Sequence, residues 1–212
     1  GLEPVRLHNN CSAKHAGMLG LARAHGWEVV GYQRQEHPVQ QRILSEIARW
    51  ASVPFEAIGL GVDGCGAVCF ALQLRQMAHA YARLAAAARA GDRESTYVVG
   101  AMINYPEMVA GEGRLCTELM EQTAGRLFAK LGAEGLYCVG VPGAELGVVV
   151  KVEDGSSRAV GPAILSVLRQ LDLISEDDLG ALWSHAYPDL FNSTGELVGQ
   201  VRANLALATA AN

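Results

Sequence analysis

The hydrophobic period of this chain changes near residue 135. Before that point most apolar residues recur at helical spacing. After it they form two extended runs, 135–141 and 146–153, joined at Pro142-Gly143. Alternation and continuous apolar runs bounded by turn residues predict strands, and a proline-glycine junction between two of them predicts a hairpin. A chain that runs through helices and then into a hairpin is restricted to a mixed α/β arrangement of the α+β kind, with helices packed on an antiparallel sheet late in the sequence.

The helical part is punctuated clearly. Asn9 and Asn10 are N-cap candidates for a helix over 12–25, stopped by Gly26. His37-Pro38 opens a second helix, with Val39, Ile43, Ile47 and Trp50 on its apolar face. Residues 27–30 read as a short extended piece, and 58–62 as a strand ending at Asp63. Its glycines imply close backbone approach. Helices are predicted over 75–90, over 96–109 with a break near Pro106, over 117–131, over 162–171 and over 175–187. Ser175 and Asp178 are spaced as a capping box. A final strand is expected within 196–205.

Composition narrows the function. Half of the 212 residues are apolar and 18% are charged, enough for a sizeable core and against disorder. The formal net charge of -5 argues against general nucleic-acid binding. No run approaches the roughly 20 apolar residues of a membrane span. Five cysteines, an odd number at wide spacing, do not form a disulfide framework and fit a reduced, cytoplasmic thiol set. No signal peptide is visible and the first residue is Gly, so the chain reads as trimmed or as a piece of something longer.

Two segments gather chemistry-bearing side chains. In Asn10-Cys11-Ser12-Ala13-Lys14-His15, Cys11 and Lys14 stand three apart at a helix start and share a face. The helix N-terminus favours thiolate, a good zinc ligand, and a lysine ligates once its proton is lost. The plainer reading has Cys11 packed and Lys14 paired with Asp63 or a carbonyl. Asp63-Gly64-Cys65-Gly66 follows a strand, where ligands gather in α/β folds. Asp63 is placed either to hold a substrate ammonium or to cap a backbone N–H. Lys151 lies among valines, either solvent-facing or desolvated and fit to act as a base. His8, His25, His79 and His185 stand alone, as surface or core residues.

The blocks around these residues resemble the Rhizobium-etli-type, class 3 L-asparaginases. The resemblance rests on residues 10–19, His37-Pro38-Val39-Gln40, Val62-Asp63-Gly64-Cys65-Gly66, residues 106–114, Lys130-Leu131-Gly132-Ala133-Glu134-Gly135 and residues 151–159, which recur in family order over most of the chain. It implies a fold like serine β-lactamases and glutaminases, and hydrolysis of L-asparagine to L-aspartate and ammonia. It also implies a zinc held by Cys11, Lys14 and Cys65, with Asp63 facing the substrate and His15 lining the same pocket. Lys151 would be the base of a Ser–Lys pair, in a homodimer acting on a small molecule, with no nucleic acid and no membrane as partner. Family members are longer at the N-terminus, where their nucleophilic Ser-x-x-Lys segment lies. No Ser-x-x-Lys stands in this sequence, and Ser12, two residues from Lys14, does not match it. The expectation is therefore a single domain over 1–212 forming the C-terminal portion of a longer asparaginase-like protein. The alternative is a non-catalytic metal-binding or dimerisation module of the same fold.

Overall fold

The computed structural model describes residues 3–208. Its chain divides into two compact units, Gly1–Gln76 and Met77–Asn212.

In the first unit, helix α1 (Ser12–Ala24) and helix α2 (Pro38–Ala51) accompany a hairpin of β1 (Gly59–Val62) and β2 (Val68–Ala71). The N-cap of α1 is Cys11 rather than an asparagine. Asn9 instead accepts the Cys11 N–H on its side-chain oxygen at 2.8 Å. Helix α2 starts as its sequence predicts: the His37 ring accepts from the Val39 N–H, and Pro38 fills the first turn. Val39 and Ala48 are buried, whereas Ile43, Ile47 and Trp50 are half-buried. Met18, Ala22, Val39 and Ala67 form a small core. Residues 27–30 form no strand. The β1 glycines do mark close approach: a Cβ on Gly61 would stand 3.2 Å from the Cys69 sulfur, its register partner.

Helix α3 (Leu74–Arg89) leads to α4 (Arg93–Asn104), α5 (Pro106–Ala110) and α6 (Leu115–Gln122). The sheet of the second unit has the order β3-β4-β5, from β3 (Phe128–Leu131), β4 (Leu136–Val141) and β5 (Leu146–Lys151), all antiparallel. Then come α7 (Val160–Gln170), α8 (Glu176–Ala181), α9 (Trp183–Ala186) and a ribbon of β6 (Asp189–Phe191) with β7 (Leu197–Gln200). The core joins Leu119, Leu127, Phe128, Val139, Ile164 and Leu168, all fully buried. The Ser175–Asp178 capping box is present in full.

Three further sequence expectations needed correction. Residues 117–131 are not one helix: α6 stops at Gln122, the Thr123 hydroxyl donates to the Leu119 carbonyl, and Ala124 and Gly125 both take positive φ. The chain then enters β3, and the run Leu127-Phe128-Ala129 at its start is too short and apolar for periodicity to separate strand from helix. Residues 175–187 form two short helices. The last strand covers Leu197–Gln200 only, where β6 offers it a partner.

Candidate functional site

The β1–β2 turn builds one half of the site. Its tightness comes from Asp63, whose Oδ1 accepts from the Cys65 N–H at 2.9 Å and the Ala67 N–H at 3.0 Å, while Gly66 takes φ +82°. The Cys65 thiol donates to the same oxygen at 2.9 Å. Asp63 thus caps backbone N–H groups and still offers its second oxygen outward. That oxygen, Oδ2, receives Lys14 Nζ at 2.6 Å.

The first turn of α1 builds the other half. Cys65 lies near enough to bear on the titration of both Cys11, at the N-cap, and Lys14, whose ammonium is bonded to Asp63. The two segments named from sequence therefore meet. His15, one residue on, turns to Tyr32: its Nδ1 lies 2.6 Å from the tyrosine hydroxyl and the rings are edge to face.

Electrostatics in this cluster follow from the pairing. Burial works against charge on Asp63, but hydrogen bonds from Cys65, Lys14 and the turn outweigh it and hold the carboxyl far below its usual range. Burial likewise opposes charge on Lys14, and the partners Asp63 and Cys65 outweigh it, so the amine stays an ammonium. The Cys11 thiol is raised, first by burial and then by its bond with Cys65, with Lys14 opposing. The helix N-terminus was expected to favour thiolate here. Burial and the second thiol prevail. A bound cation would reverse that order, because its charge dominates nearby titrations.

Zinc takes thiolate sulfur and nitrogen donors, usually four in a tetrahedron. Two neighbouring thiols and an amine beside them are soft and borderline ligands of the right kind. Among the described residues, no group of three or more His, Cys, Asp and Glu side chains is arranged to hold a metal. The set here consists of two thiols and a lysine, so the residues fit a metal only if Lys14 leaves Asp63 and loses its proton.

An open cavity of about 580 Å³ begins at the Lys14–Asp63 pair and is walled by Met18, Leu21, Ile43 and Phe70. Cys69 also lines it, an exposed thiol that sequence reasoning did not single out. The one signal for it was the glycine opposite in β1. Tyr32 was also missed, because nothing in its spacing links it to His15. Lys151 ends β5 in the second unit, exposed, with its amine on the Val152 carbonyl. His185 does not stand alone: its Nε2 lies 2.8 Å from Glu118.

An ammonium on a carboxylate, two neighbouring thiols and an adjoining cavity make this the candidate site of the first unit. The family model for L-asparaginase II matches residues 1–203, and the chain belongs to that family of amide hydrolases, whose substrates are small amides. No match is found among curated proteins. Among the described residues no helix is long and apolar enough to cross a membrane.

Proposed function

We propose that this protein takes part in hydrolysing L-asparagine to L-aspartate and ammonia, with Cys11, Lys14, Asp63 and Cys65 forming its metal and substrate site. The observation that carries this is the Lys14–Asp63 pair. Asp63 has one oxygen locked in its turn and the other presented to a primary ammonium at 2.6 Å. The α-ammonium of asparagine is the same chemical group and can take that oxygen when Lys14 turns away. His15, held by Tyr32 and not among the residues walling the cavity, is assigned to the substrate's polar groups.

Cys11, Lys14 and Cys65 would hold a zinc. When bound, it supplies a fixed positive charge that orients the substrate. In the reaction proposed, a serine hydroxyl attacks the side-chain amide carbon while a lysine amine takes its proton. That proton passes to the leaving nitrogen, ammonia departs, and water hydrolyses the acyl-serine ester to aspartate. Lys151 is the lysine assigned to this pair. The serine β-lactamase-like fold and a homodimer belong to the same reading. A second reading is a non-catalytic metal-binding or dimerisation module of the same fold.

The test is ammonia release from L-asparagine, by the 212-residue chain and by the same chain joined to a family N-terminal segment carrying Ser-x-x-Lys. The joined form should be active and the short chain slower by several orders of magnitude, as when a central nucleophile is removed. In the joined form Lys151→Ala should lower kcat strongly. An inactive, folded joined form would favour the module, and equal rates would place the nucleophile in this chain, with Ser12 the first to replace.

A further inference from the structure

Three sequence blocks that resemble the asparaginases play no part in the site above: residues 106–114, 130–135 and the part of 151–159 beyond Lys151. They come together in the second unit. Arg114 stands before α6, Glu134 sits in the β3–β4 turn, and Ser157 and Arg158 precede α7. All four line one cavity of about 590 Å³, within the range of small-molecule sites.

The charges of this cavity are unspent. Among the described residues, neither Arg114 nor Arg158 forms an ion pair, and neither does Glu134. Another titratable wall residue, His185, is already bonded to Glu118. Glu134 takes φ +55°, and Gly155 leaves room for it: a Cβ at 155 would stand 2.6 Å from Glu134 Oε2. Tyr137, 1% exposed, also lines the cavity. Its buried hydroxyl has no hydrogen-bond partner.

We infer that this cavity is a second ligand site that takes an acidic α-amino acid. Two guanidiniums and one carboxylate complement two carboxylates and one ammonium. Arginine is suited to gripping a carboxylate with two parallel hydrogen bonds. The ligand class coincides with the product of the proposed hydrolysis, but the argument rests on the cavity's own charges.

The experiment is calorimetric titration of L-aspartate into the protein carrying Asp63→Asn, which disables the first-unit site, so that failure here is separate from failure of the asparaginase reading. Saturable binding is expected, weakened at least about tenfold by Arg114→Met with Arg158→Met. Both arginines are exposed, so the fold should survive, and an unchanged circular dichroism spectrum checks this. Succinate, which lacks the ammonium, should bind more weakly than aspartate. No binding at millimolar aspartate, binding indifferent to the two arginine changes, or succinate binding as well as aspartate would overturn the inference.

Discussion

Lys14 Nζ lies 2.6 Å from Asp63 Oδ2 across 49 residues of chain, and this contact ties the start of α1 to the β1–β2 turn. Both side chains are partly exposed, at 39% and 26%, so the ion pair itself contributes little stability, about 0–1 kcal/mol. Its consequence is positional: it sets an ammonium on the free oxygen of a carboxylate whose other oxygen is committed.

The two oxygens of Asp63 should therefore separate in mutants. Asp63→Asn keeps an oxygen for the Cys65 and Ala67 N–H groups and loses only the ion pair, costing less than about 1 kcal/mol. Asp63→Ala strands both N–H groups and should cost about 1–3 kcal/mol. Urea unfolding of the two variants measures the gap. Equal losses would mean that the turn does not depend on Oδ1.

Close packing of the second unit gives a prediction independent of function. A Cβ on Gly147 would stand 1.9 Å from the Ala78 carbonyl oxygen, where α3 crosses β5, and backbone cannot step aside as a side chain can. Gly147→Ala should cost about 3 kcal/mol, at the top of the usual overpacking range. At Gly140 the clash is with the Phe128 ring, and Gly140→Ala should cost about 1–3 kcal/mol. Gly143 faces open space, and its replacement by Ala should stay within about 0.5 kcal/mol. Thermal unfolding ranks the three, and a harmless Gly147→Ala would contradict the packing of α3 on β5.

Asp178 gives the pH dependence. Burial would raise its carboxyl, but the Ser175 N–H, the Arg126 guanidinium and the Ser175 hydroxyl outweigh that and hold it below the ordinary 3.8. A carboxyl depressed on folding stabilises the protein fully above its unfolded value and loses that contribution as pH falls through its folded value. Stability should fall below about pH 4, and Asp178→Asn should flatten that slope and cost about 0.5–2 kcal/mol at neutral pH, as for a lost cap. Urea midpoints from pH 2 to 7 provide the check. An identical slope in the variant would remove Asp178 from the account.

Much of this was legible in the sequence, for identifiable reasons. His37-Pro38, the Ser175–Asp178 box and Pro142-Gly143 act locally, and each marks the boundary it predicts. The meeting of Cys11, Lys14, Asp63 and Cys65 was anticipated from residue type and family order rather than from spacing. Strand β3 escaped because its four residues show a period only when β4 is beside them. The raised Cys11 thiol escaped because a helix N-terminus is visible in sequence while a neighbouring thiol 54 positions away is not. Tyr32 on His15 and the convergence of Arg114, Glu134 and Arg158 are tertiary facts with no local signal.

The most direct measurement is zinc-edge X-ray absorption on the protein loaded with one equivalent of zinc. The account predicts a first shell with two sulfurs at about 2.3 Å and nitrogen at about 2.0–2.1 Å, with one sulfur lost in Cys65→Ser and one in Cys11→Ser. A shell without sulfur, or one unchanged by either substitution, would contradict the claim that these two segments form one metal and substrate site.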